Sequence, residues 1–213
     1  MPDSDSESSF HLPTQHGDVD AKLLAGLERL SQVFRGLLWE RAHEHGLSPI
    51  QARVLLDLRY RVEGGRRVGA LAEQFRLTAA TVSDALTALS DKGLVEKTPD
   101  PDDRRARVVQ LTETGTEAAE ALSTWAEPVR EQLRGLGAER KTEAMALLMD
   151  LISALEEADL ISRTRMCRTC RFFDRDAHDD PDAPHHCNFL ERPLSPGDLR
   201  MDCPEHEPAD GAA

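Results

Sequence analysis

The sequence predicts a mainly α-helical chain with two short helices and a hairpin at its centre and a small cysteine-rich module at its C-terminal end. Three observations carry this. Apolar residues recur at helical spacing along most of residues 20–160. Two β-prone runs, 94–98 and 106–111, flank Pro99, Asp100 and Pro101. The first 166 residues contain no cysteine, whereas Cys167, Cys170, Cys187 and Cys203 all fall within the last 47.

Taken in order, residues 1–18 are polar, acidic and without periodicity, and are expected to form a disordered tail. From about 20 to 45, Leu23, Leu27, Leu30, Phe34 and Leu37 make one broad helical stripe, with Leu24 and Leu38 beside it. A second helix restarts after Gly46, with Ser48 as its N-cap and Pro49 at its first position. "EGGRR" reads as a turn. Residues 68–95 read as helix, tight turn, helix. Val68, Leu71 and Phe75 face one way on the first, Thr78 caps the second, and Val82, Ala85, Leu86 and Leu89 form its buried side. Gly93 suits the helix end, and the two β-prone runs follow as a hairpin. A helix from near Gly115 carries Ala118, Leu122, Trp125 and Val129, and Pro128 should kink or divide it. The last helix, about 138–160, has Ala144, Leu148, Leu151 and Leu155 on its stripe. This gives three regions: an acidic tail 1–18, a helical unit 19–162 and a cysteine-rich module 163–213.

Net charge is −13 over 213 residues, which alone argues against a nucleic-acid partner. Residues 47–112, however, hold 11 basic and 9 acidic residues and are the only sizeable net-positive region. A local cationic surface is what DNA binding requires. No apolar run approaches the roughly 18 residues of a membrane span. "MPDSDSESSF" lacks the basic start and apolar middle of a secretory signal. A cytoplasmic location is therefore expected. There, clustered cysteines read as metal ligands or redox thiols rather than disulfides.

Helix, turn, helix and hairpin is the layout of a winged helix-turn-helix. Its second helix enters the major groove, and its hairpin can carry arginine to the minor groove. "LTAATVSDALTALSDKGLVEK" and "DPDDRRARVVQLTETG", with Asp103, Arg105, Leu111 and Thr112, resemble the recognition helix and wing of the MarR family of bacterial transcription regulators. The resemblance covers roughly 20–160. It implies a homodimer built from the N- and C-terminal helices, with two recognition helices on a pseudo-palindromic double-stranded operator. It places Arg105 in the minor groove.

The recognition helix departs from that pattern. No Lys or Arg occurs from 77 to 91, and Asp84 stands where relatives often carry arginine. Thr78, Thr81, Ser83 and Thr87 remain to meet bases or phosphates. Asp84 either accepts from a cytosine amino group or pairs with a nearby arginine. Backbone affinity is then assigned to Arg66, Arg67 and Arg76 before the helix and to Arg104, Arg105 and Arg107 in the wing. Arg104 or Arg107 could instead be solvated surface, or pair with Asp102 or Asp103.

The tail spacing is Cys-x2-Cys-x16-Cys-x15-Cys. A Cys-x-x-Cys knuckle with two further cysteines can close a four-sulfur site around zinc. The alternatives are an iron–sulfur cluster, also four-cysteine, and thiols that sense oxidants directly. His185, His186 or His206 could replace a thiolate, but the four cysteines alone suffice as ligands. The residues point to a cytoplasmic, dimeric, metal-containing DNA-binding repressor, not an enzyme, with room for a small-molecule effector and no membrane partner. The competing reading is a metal-dependent enzyme or metal carrier on a winged-helix scaffold. Single-strand binding is disfavoured by the 4% aromatic content.

Overall fold

The computed structural model describes residue 8 and residues 12–61, 65–100 and 107–209. Helix α1 (Leu12–Gly17) corrects part of the expectation of a disordered tail; residues 1–7 and 9–11 lie outside the described residues. Asp18 then caps α2 (Val19–Glu44) by accepting from the Asp20 N–H. Only alanines of α2 are buried: Ala21, Ala25 and Ala42. The leucine stripe is only partly covered, with Leu23, Leu24, Leu30 and Phe34 exposed in the single chain.

Helix α3 (Pro49–Tyr60) begins at a capping box in which Ser48 and Gln51 satisfy each other's backbone N–H. Two of the five residues expected to form a turn instead form strand β1 (Arg66–Arg67), which pairs with β3. Two residues cannot signal a strand by pattern; the pairing with β3 makes it one. Helix α4 (Val68–Phe75) ends at Arg76 in the left-handed conformation, φ 48°. There the Arg76 and Leu77 N–H groups close on the Glu73 and Ala72 carbonyls. Thr78 caps α5 (Ala79–Asp91), accepting from the Thr81 N–H at 3.1 Å.

Strands β2 (Val95–Pro99) and β3 (Arg107–Leu111) form the expected hairpin, and with β1 give an antiparallel sheet of order β1-β3-β2. Residues 101–106, including Asp102, Asp103, Arg104 and Arg105, lie outside the described residues. Helix α6 (Glu113–Leu122) packs so closely on this hairpin that a Cβ on Gly115 would sit 1.8 Å from the Leu94 carbonyl oxygen. Leu55, Leu71, Leu86, Leu89 and Leu122 centre the core that α3–α6 and the sheet share. After α6 the chain makes a 3-10 turn, Ser123–Ala126. Pro128 then stands in the first turn of α7 (Glu127–Arg134), so the proline divides the helix.

Helix α8 (Ala138–Glu157) carries two apolar stripes. Ala144, Leu147, Leu148 and Leu151 are exposed. Met145, Met149 and Ile152 pack against Met166, Cys167, Leu194 and Leu199 of the C-terminal module. The boundary expected at 162/163 therefore cuts through a shared core. The module itself holds a small antiparallel sheet of order β4-β5-β6, from Phe173–Asp174, His185–Cys187 and Arg192–Leu194. Among the described residues no helix is long and apolar enough to cross a membrane.

Candidate nucleic-acid interface and cysteine cavity

Helix α5 turns Val82, Ala85, Leu86 and Leu89 into the core. Its other side presents Thr81, Asp84 and Thr87, all exposed, with Ser83 half-buried beside them. The hydroxyls have local duties. Thr78 and Thr81 share a hydrogen bond of 2.8 Å, and Thr87 donates to the Ser83 carbonyl at 2.9 Å. Asp84 makes no ion pair among the described residues.

The arginines assigned to DNA divide into groups. Arg66 lies 3.3 Å from the buried Asp57, which also accepts from Gln74 at 2.6 Å. Arg67 pairs with the buried Asp100 at 2.6 Å. Arg76 donates to the Asp159 carbonyl at 2.8 Å and lies 3.4 Å from its carboxylate. Tertiary partners that no local pattern reveals thus hold these three side chains. Arg107 is exposed at the start of β3. Lys97, exposed on β2, is a further wing cation that sequence reasoning did not single out; it stands two residues from the buried Val95, so strand alternation would have placed it on the inner face.

At the other end of the molecule, Cys167, Cys170, Cys187 and Cys203 all line one cavity of about 30 Å3. Phe172, Phe173, Phe189, Leu190 and Leu194 supply much of its wall. Separate pieces of local structure deliver the thiols. A 3-10 turn, Cys167–Thr169, carries the first and leads into Cys170. Cys187 ends β5, and Cys203 follows the 3-10 turn Pro196–Asp198.

The Arg200 backbone N–H donates to Cys167 Sγ at 3.2 Å, and the Arg200 guanidinium to Cys203 Sγ at 3.5 Å. Burial pushes the Cys167 thiol above its ordinary value. The Arg200 N–H opposes this, and the Cys203, Cys187 and Cys170 sulfurs add to the rise. Low-pKa reactive thiols are shifted the other way.

The histidines are engaged elsewhere. His185 Nδ1 accepts from the Asp176 N–H at 3.2 Å, His206 Nε2 bonds Thr169 Oγ1 at 3.0 Å, and His186 bonds His178 at 3.0 Å. None of the three lines the cavity. Among the described residues no three His, Cys, Asp or Glu side chains converge to hold a single metal ion.

Two sets of contacts fasten the module to the rest of the chain. On α8, Asp150 receives Arg168 at 3.1 Å and Arg175 at 2.8 Å, and Glu156 receives Thr164 at 2.6 Å. On the helix-turn-helix side, Ser162 Oγ donates to the Glu73 carbonyl at 2.7 Å. Arg165 donates to the Arg61 carbonyl at 3.0 Å, and Asp202 ion-pairs with both Arg61 and Arg165. The cysteine module thus bears on the same helix end, Glu73–Arg76, that leads into the recognition helix.

Residues 45–106 match the model of the MarR family. Over 152 residues, 71% of this chain and 95% of the relative, the sequence is 28% identical to the HTH-type transcriptional repressor NicR of Pseudomonas putida. Among solved structures, S. aureus MepR in its DNA-binding conformation aligns with TM-score 0.56 at 22% identity, covering 62% of this chain and 98% of that one. The S. aureus MepR–DNA complex gives 0.53 at 22% identity, over 61% of this chain and 95% of that one. Wild-type apo MarR from E. coli gives 0.51 at 23% identity, over the same shares. The structures show a shared winged-helix fold. Each solved chain is matched almost whole while a large part of this one is left over.

Proposed function

We propose that this chain is a MarR-type DNA-binding transcriptional regulator, a homodimeric repressor whose four-cysteine module holds a metal centre and reports its state to the DNA-binding unit. The observation that carries the DNA-binding reading is the exposed polar face of α5, set beside a wing bearing Arg107 and Lys97. The relative matched over most of its length is a transcriptional repressor, and one structural neighbour is a DNA complex. Both favour a regulator over an enzyme.

A homodimer is supported by apolar side chains that the single chain leaves exposed: Leu23, Leu30 and Val33 on α2, Leu133 on α7, and Leu147 and Leu151 on α8. A second copy offers the matching surface, since two-fold interfaces are self-complementary. Helix α8 then lies between the partner chain on one stripe and the cysteine module on the other. A change in the module would shift α8 and pull on the Ser162 and Arg76 contacts, altering how the two α5 helices are spaced.

The base-reading role is tested by selecting bound duplexes from a random pool with the wild-type chain and with Asp84→Ala. Loss of a base-reading side chain should relax preference at one position of each half-site, by about 1–3 kcal/mol. Identical selected sequences would remove Asp84 from the reading face.

A further inference from the structure

The geometry points to a polynuclear iron–sulfur cluster, rather than a single ion, as the group that the four thiols hold; this rests on the metal-centre reading above. Two observations meet here. All four cysteines line one cavity, yet no three of them converge on a point where one ion could sit. A zinc–thiolate bond is about 2.3 Å, so four sulfurs around one zinc crowd to about 3.8 Å from one another. In a four-iron cluster each thiolate binds its own iron, and in a two-iron cluster each iron takes two, so the four sulfurs never all meet at one metal and are spread around a larger body.

The four sulfurs border free space: the cavity of about 30 Å3 is at least twice the roughly 10–15 Å3 that one enclosed water needs. Phenylalanine and leucine make much of its wall, and the Arg200 donors to Cys167 and Cys203 are of the kind that tune cluster thiolates. The histidines stay out of the donor set, because His185, His186 and His206 are bonded away from the cavity. Asp198 and Glu205 also line it, and Glu205 accepts from Cys203 Sγ at 3.4 Å, so the four thiols are the soft donors among harder oxygens. Each cysteine gives up its proton on binding iron. Inorganic sulfide and iron in both ferrous and ferric states are the co-reactants, so that two ferric and two ferrous ions with four sulfides give a four-iron cluster, or two ferric ions with two sulfides a two-iron one, without a further oxidant.

The test uses the full chain, purified without oxygen and offered either ferrous and ferric iron with sulfide or zinc alone. Iron, zinc and acid-labile sulfide are then measured per chain, with the visible absorption spectrum. The expected result is iron and sulfide in equal amounts, more than one iron per chain, and a broad visible band. Cys203→Ser should lose both while His206→Ala keeps them. A single zinc per chain in both arms, without sulfide, overturns the cluster but leaves the metal-centre reading standing. Four free thiols with no bound metal in either arm overturn both.

Discussion

Arg105 carries the sharpest prediction at the residue scale, because the resemblance gives it the minor-groove position while the recognition helix has no cation of its own. Arg105→Ala should weaken binding to a selected duplex by about 1–3 kcal/mol, read by titration at fixed salt. An unchanged affinity would remove it from the DNA-contacting wing. Arg66, Arg67 and Arg76 were expected to add backbone affinity ahead of the helix, and the structure gives each an acidic partner: Asp57, Asp100 and Asp159. Those partners lie 9, 33 and 83 positions away in the chain, beyond any helical or strand periodicity. Gly115 is a second residue-scale case. Its Cβ would meet the Leu94 carbonyl, so Gly115→Ala should force α6 off the hairpin at a cost of at least about 1–3 kcal/mol. Chemical denaturation measures it, and a variant as stable as the parent would mean that α6 packs more loosely than described.

Elements whose signals are local were legible. Ser48 with Gln51, Thr78 with Thr81, and Pro128 at the head of α7 each act within a turn of the chain. Elements made by pairing were not. Strand β1 and the module's strands are two or three residues long and exist through their partners. On α8 the sequence displayed the stripe of Ala144, Leu148 and Leu151, but the stripe covered within the chain is its neighbour, Met145, Met149 and Ile152. The two are offset by one residue, or about 100° around the helix, and periodicity cannot say which faces the chain and which a partner. This sharing sets the expected effect of metal removal. Chelation should strip hydrogen-exchange protection from residues 163–209 and from the Met149 face of α8, while α3–α6 keep theirs. Loss of protection throughout α3–α6 would contradict a second, separable core.

For the whole molecule, the winged helix was readable because helix, turn, helix and hairpin follow one another in sequence. The placement of the cysteine module was not, since Ser162, Arg165 and Asp202 reach back to Glu73 and Arg61 across long stretches of chain. The module therefore packs both on α8 and on the helix end that leads into α5. The account as a whole depends on a two-fold regulator on duplex DNA. The most direct measurement is the mass and footprint of the full chain bound to its selected duplex. The account predicts two chains per duplex on an inverted repeat, with half-site centres about 10–10.5 base pairs apart or a multiple of that. A single chain per duplex, or equal retention of unrelated duplexes, would contradict it.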